Sequence, residues 1–257
     1  MAPIDEQAKA RCTHSEPVGA ARLAPLLSVR GLTKRYGDQT ALDGVAFDVR
    51  AGEVLGLIGP NGAGKTTLFE TLAGVVPVDS ADVLWQGRPL PREQRAEVLF
   101  YLPDGVRPYP EQPVLRVLTF IADVYARPPD AVLAAIAALR LEPVLAKRVG
   151  ALSKGYSRRL MLALGLLTPH PLLLMDEPFD GLDLRQIAEV THLLRRVAGA
   201  GRTLMLAIHQ LADAARVCDR FVLLAAGRSI AAGTLEELRS SSGQPDGSLE
   251  EIFLALT

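Results

Sequence analysis

The chain has 257 residues, 49% of them hydrophobic, and a net charge of −1 at pH 7. That length holds one large domain or two small ones, and the near-neutral charge supplies no basic field for nucleic acid, which is excluded as a partner class. Cys12 and Cys218 stand far apart without metal-ligand spacing and read as two free thiols in a reducing compartment.

Residues 1 to 25 show no periodicity. Asp5, Glu6, Lys9, Arg11 and Glu16 are scattered through them, which does not fit the apolar core of a secretion signal, and a flexible extension is expected. From Leu27 the pattern turns strand-like. Leu26 to Gly31, Val45 to Val49 and Val54 to Ile58 are short β-type runs separated by Gly and Asp turns. Directly after the third comes Gly59-Pro60-Asn61-Gly62-Ala63-Gly64-Lys65-Thr66-Thr67, which fits G-x-x-x-x-G-K-[ST] at every fixed place. Thr67 to Ala73 then read as a helix start. Val83 to Trp85, with a turn at Gln86-Gly87, and Val98 to Leu102 are further strands.

Residues 111 to 168 change character. Val114 to Tyr125, Ala131 to Leu141 and Ser157 to Leu167 read as helices, with a break and N-cap at Pro128-Pro129-Asp130. The apolar stretch Leu160 to Met175 is interrupted by Thr168-Pro169-His170-Pro171, short of the about 20 residues a membrane span needs. Strand-like runs return at Leu172 to Met175, Thr203 to Ile208 and Phe221 to Leu224, with helical runs at about Arg185 to Ala198 and Leu211 to Val217. That alternation predicts an α/β core with the helical block inserted between its halves. A hairpin turn at Ala225 to Arg228, a Ser/Gly/Pro linker at Ser240 to Gly247 and a short helix at Leu249 to Leu256 complete the chain. No internal repeat is visible, so one nucleotide-binding unit is expected.

The glycine-rich run carries chemistry. Glycines let the loop curl so that successive N–H groups face inward, and the following helix N-terminus favours an anion. Lys65 can reach the β- and γ-phosphates, and the Thr66 hydroxyl can ligate Mg²⁺. Leu172-Leu173-Leu174-Met175-Asp176-Glu177 is a buried strand ending in two acids. Asp176 at that end is suited to hold Mg²⁺, and Glu177 to polarise an attacking water.

Between these motifs lies Leu152-Ser153-Lys154-Gly155-Tyr156-Ser157-Arg158-Arg159-Leu160. It resembles the LSGGQ signature of ATP-binding cassette (ABC) proteins, in an export-type variant, and the motif order over residues 26 to 235 is that family's. The resemblance implies an α/β, P-loop NTPase core of ABC type over 26–239, with an N-terminal antiparallel β-subdomain and an inserted helical subdomain at about 111–168; residues 240–257 would be a linker and short terminal helix. ATP and Mg²⁺ are the implied cofactors, with Thr66, Asp104 and Asp176 at the metal. Nucleotide contacts are implied at Tyr36, which matches the aromatic that stacks on adenine, and at Gly59, Pro60, Asn61, Gly62, Ala63, Gly64, Lys65, Thr66 and Thr67. Ser153 and Gly155 match residues that reach the γ-phosphate held by an opposite subunit; a helix N-cap at Ser153 is compatible with that role. Asp183 matches an acid coupling two composite sites, and His209 the switch histidine, so Glu177, His209 and Lys65 form the implied catalytic set.

The pattern has departures. Asp104 stands where Gln is usual, Lys154 and Tyr156 replace Gly and Gln in the signature, and Phe179-Asp180 replaces small residues. The sequence offers no reason for the last change. The resemblance implies an ATP-hydrolysing subunit, of multidrug or ABC-2 export type, on the cytoplasmic face of a membrane. It would act with a transmembrane permease subunit and a second ABC ATPase subunit, as homo- or heterodimer. The alternative is a soluble ABC ATPase driving an assembly or regulatory process. A P-loop kinase fits less well, because the signature precedes Asp176-Glu177.

Overall fold

The computed structural model describes residues 24–257. The expected extension, 1 to 25, lies outside the described residues apart from its last two, as does Cys12. The first two strands run longer than their apolar cores: β1 (Leu27–Tyr36) and β2 (Gln39–Val49) pair antiparallel through the turn at Gly37-Asp38. β3 (Val54–Ile58) leads through the glycine-rich loop into α1 (Lys65–Leu72). β4 (Ser80–Trp85) and β5 (Arg88–Pro89) complete a four-stranded sheet of order β2-β1-β4-β5, and α2 (Arg95–Val98) precedes β6 (Leu99–Leu102).

Three helices follow, α3 (Val114–Val124), α4 (Pro129–Leu139) and α5 (Lys154–Leu167). α4 starts at Pro129 and not at Ala131, so Asp130 lies inside its first turn and not at the cap. Proline tolerates that first position because its missing N–H has no intrahelical partner there. α5 starts three residues before the expected Ser157, because the Ser153 hydroxyl caps it by accepting from the Tyr156 N–H at 3.3 Å.

β7 (Leu172–Asp176), α6 (Leu184–Gly199), β8 (Thr203–Ile208), α7 (Leu211–Val217), β9 (Arg220–Ala225), β10 (Arg228–Gly233), α8 (Leu235–Ser242) and α9 (Leu249–Leu256) close the chain. β10 completes the hairpin expected from the turn at Ala225 to Arg228, and α8 corrects the sequence reading. β10 is a half-exposed edge strand without apolar alternation of its own. α8 overruns the expected linker at Ser240: a Thr234–Glu237 capping box starts it and Gly243, at φ 70°, stops it.

The second sheet has the order β10-β9-β3-β8-β7-β6, parallel except for the β9–β10 hairpin. Its central strands are buried on both faces, as a parallel sheet requires. Side chains alternate between two cores. Val54, Ile58, Leu173, Met175, Leu204 and Leu206 join the core shared with α3 to α7. Leu55, Leu57, Leu172, Leu174 and Met205 join the core shared with α1 and the antiparallel sheet. The sheets are tied where Asp43 N–H donates to Gly227 O at 2.8 Å and Ala46 N–H to Ser229 Oγ at 3.1 Å.

Candidate functional site

β3, β8 and β7 are parallel neighbours, so their carboxyl ends line up, the usual place for a ligand in an open α/β sheet. The glycine-rich loop leaves the first, His209 follows the second, and Asp176 ends the third. Period-two alternation puts Asp176 on the face of Leu172 and Leu174, toward α1. Its carboxylate therefore meets the first turn of α1, where Thr66 Oγ1 donates to Asp176 Oδ2 at 2.8 Å.

Glu177 leaves the strand abruptly. Its φ is 50°, in the left-handed region that residues with a side chain seldom occupy and that concentrates at functional sites. Its N–H donates to Ala207 O at 3.0 Å, and its carboxylate turns toward the end of β8. There His209 Nδ1 donates to Glu177 Oε2 at 2.6 Å.

Thr66, Asp176 and Glu177 border a cavity of about 660 Å³, in the size range of small-molecule sites. Tyr36, Asn61, Gly62, Gly64, Lys65, Thr66, Thr67, Asp104, Asp176 and Glu177 all line it. Gly64, at φ 102°, precedes α1, and no side chain caps that helix, so its leading N–H groups face the cavity mouth uncapped. Ala63 is different: it is buried, and its N–H donates within the loop to Pro60 O at 3.2 Å. Gly59 and Pro60 present carbonyls to Lys65 Nζ, at 2.7 and 3.2 Å. Sequence reasoning missed Gln39 to Ala41 and Ala226-Gly227, which form the opposite wall. Gln39 to Ala41 open β2 and Ala226-Gly227 form the β9–β10 turn; neither carries a chemical motif, and only the meeting of the two sheets brings them here.

Burial sets the charges. It lowers the Lys65 pKa, opposed by the nearby Glu177 and Asp176 carboxylates. It raises the Asp176 pKa, opposed first by the Thr66 hydrogen bond. It raises that of Glu177, opposed by the hydrogen bond from His209. Asp176 is thus a buried anion short of positive charge. With the Thr66 hydroxyl it forms a hard-oxygen donor pair of the kind Mg²⁺ takes together with substrate phosphates. Among the described residues no three His, Cys, Asp or Glu side chains converge on one metal, and Mg²⁺ bound through phosphates does not need them.

Asp104 lines the cavity, but its carboxylate is ion-paired with Arg158. Tyr36 is half exposed, with Lys34 Nζ 4.9 Å over its ring. Ser153, Gly155 and Asp183 do not line the cavity. Ser153 borders a separate pocket with Tyr156 and Gln186. Asp183 caps α6 in a box with Gln186, its Oδ1 accepting from the Gln186 N–H at 2.8 Å. His209 borders a neighbouring cavity with Gly59, Pro60 and Asn61, against Phe253 of α9. No helix among the described residues is long and apolar enough to cross a membrane.

Residues 42–180 match the ABC transporter family. The chain is similar to the Nod factor export ATP-binding protein I of Ralstonia nicotianae, 36% identical over 220 residues, covering 83% of this chain and 68% of that protein. It is also similar to the protein of the same name from Burkholderia orbicola, 34% identical over 225 residues, covering 85% and 74% respectively. A solved ATP-binding subunit of an ABC transporter superposes with a TM-score of 0.82 at 32% identity, over 90% of this chain and 99% of that one. The chain belongs to the ABC transporter family, as an ATP-binding subunit with the machinery of a P-loop ATP hydrolase.

Proposed function

We propose that this chain is the motor of an exporter: two such subunits close head to tail around ATP and reopen on hydrolysis, driving a separate membrane permease from its cytoplasmic face. The observation that carries this reading is the convergence of the phosphate loop, Asp176 and the Glu177–His209 pair at the ends of three adjacent strands.

Thr66 and Asp176 would hold Mg²⁺, which supplies positive charge to the phosphate oxygens. Lys65 exchanges its loop carbonyls for the β- and γ-phosphates, and the uncapped N–H groups of α1 receive the remaining charge. Glu177 accepts a proton from the attacking water, while His209 orients its carboxylate. Ser153 and Gly155, remote from this cavity, serve the nucleotide of the second subunit, and Asp183 links the two sites. Tyr36 stacks on the base.

The partner surface is an apolar groove between α3 and α5, with a volume of about 560 Å³, containing Tyr109, Phe120 and Met161. Phe120 is 61% exposed there, an unusual place for a large apolar ring. The names of the relatives, Nod factor export ATP-binding proteins, support export, and on this reading the permease selects the cargo.

Glu177→Gln tests the chemistry. Turnover is expected to fall at least about a hundredfold, the contribution typical of a general base, while ATP still binds and a closed dimer accumulates in size-exclusion chromatography. Unchanged turnover with no ATP-dependent dimer overturns the proposal. Purification from the native cells in mild detergent tests the partner: a polytopic membrane protein supports the exporter, and soluble partners alone would favour an assembly ATPase.

A further inference from the structure

Three of the departures from the family pattern, Asp104, Lys154 and Asp180, are distant in sequence and meet in space around Arg158. The Arg158 guanidinium pairs with the Asp104 carboxylate and lies 3.8 Å from Asp180 Oδ2. Its other terminal nitrogen donates to the backbone oxygen of Asp176 at 3.3 Å. Lys154 Nζ holds the same Asp180 at 2.8 Å. Lys154 and Arg158 stand four residues apart on α5 and so share a face. The Lys154 stem lies against Gly181, where an added Cβ would fall 2.5 Å from its Cγ. The change to Asp180 thereby acquires a physical reason: it is the acceptor for the lysine that entered the signature.

The members of this cluster are not equal. Lys154 is 61% exposed, and an exposed pair contributes little by itself. Arg158 is only 11% exposed, so its charge depends on the partners around it. The cluster lines a cleft of about 240 Å³. The cleft shares Asp104 with the phosphate cavity, and Val106, Arg107 and Met161 with the apolar groove. It therefore stands between the two.

We propose that Arg158 is a positioning residue for ATP hydrolysis, clamping Asp104 and the turn from Asp176 to Asp180 onto α5, so that displacement of residues 104–109 at the groove reaches the end of β7. On this assignment Asp104 is the anion of a clamp and not a ligand of Mg²⁺. The inference rests on reading the cavity as the ATP site.

The test uses the full chain with Asp104→Asn, Arg158→Met and the double variant. Each single change is expected to lower kcat about tenfold through misplacement of the reacting groups. The double variant is expected to be no slower than the slower single one, because both remove one contact. Two further readouts separate a clamp from a metal ligand. Hydrogen exchange of residues 104–109 in nucleotide-free protein should accelerate in both single variants. The Mg²⁺ concentration for half-maximal turnover should stay within about twofold of the unsubstituted protein in both, a span expected for sites not in contact with the ion. The clamp is overturned if Asp104→Asn alone raises the Mg²⁺ requirement, if the kcat losses multiply, or if exchange is unchanged. Asp104→Asn lies on an exposed loop, and together with Arg158→Lys it keeps the test decisive should Arg158→Met not fold. Binding of a fluorescent ATP analogue is measured in parallel. If the unsubstituted protein fails to bind it, the ATP-site reading itself falls; if all variants bind it and the losses multiply, only the clamp falls.

Discussion

On the proposed function, Asp176 illustrates how one residue would serve the reaction at the expense of the resting fold. Burial raises its pKa from the ordinary 3.8, which means that the folded chain holds its proton more tightly than the unfolded chain. Near neutrality the ionised carboxylate is a cost to the nucleotide-free protein. That cost is relieved as pH falls through the raised value toward 3.8, because the folded state then takes up a proton that the unfolded state does not. Glu177 adds to the effect in the same direction. Asp176→Asn is therefore expected to stabilise the nucleotide-free protein at pH 7 by about 1 kcal/mol, seen as a higher Tm, while Mg²⁺-dependent turnover is lost. A lower Tm would mean that the Thr66 hydrogen bond outweighs desolvation. The strained backbone of Glu177 belongs to the same economy, since it turns the carboxylate away from Asp176 and onto His209.

At the scale of elements, the phosphate loop is held by its fit against β9 as much as by its own glycines. A Cβ at Gly59 would run into the Leu224 carbonyl oxygen, which β9 fixes in place beside β3. Gly59→Ala is expected to cost about 2 kcal/mol or more, as overpacking against backbone does. ATP affinity should fall with it, measurable by denaturant unfolding alongside nucleotide titration. Element starts were legible where a local device marks them. Ser153 was readable as a cap, yet the helix was expected only from Ser157, three residues after the true beginning of α5. The Thr234-x-x-Glu237 box was equally available for α8, but the serine- and glycine-rich residues after it read as a linker. β10 was announced only by the hairpin turn at Ala225 to Arg228, because an edge strand paired on one side needs no apolar alternation.

At the scale of the molecule, the phosphate cavity, the charged cleft and the apolar groove adjoin in series, the cleft sharing Asp104 with the first and Val106, Arg107 and Met161 with the last. Phe120→Asp places a charge on the groove, whose lining shares no residue with the phosphate cavity. Basal ATP turnover is expected to remain within about twofold, as for an independent site, while co-purification of the membrane partner is lost. Retention of the partner would move the docking surface elsewhere. The exposed Leu184, directly after Asp183, and the separate pocket at Ser153 show why the second subunit matters to this reading: the signature residues have no task in their own chain's cavity.

The sequence by itself determined the phosphate loop, the acid-ended strand, the signature and their order, because each is a contiguous run whose chemistry depends on spacing along the chain. The α/β alternation was legible for the same reason: burial on both faces leaves unbroken apolar runs at β3, β7 and β8. Only the tertiary structure decided which groups share a cavity. Strand order brought His209 to Glu177, alternation across β7 turned Asp176 toward Thr66, and the junction of the two sheets supplied Gln39 to Ala41 and Ala226-Gly227 as a wall. It also decided the fate of Asp104, whose partner Arg158 lies 54 residues away. Ion pairing depends on distance through space, and no spacing rule along the chain encodes that contact.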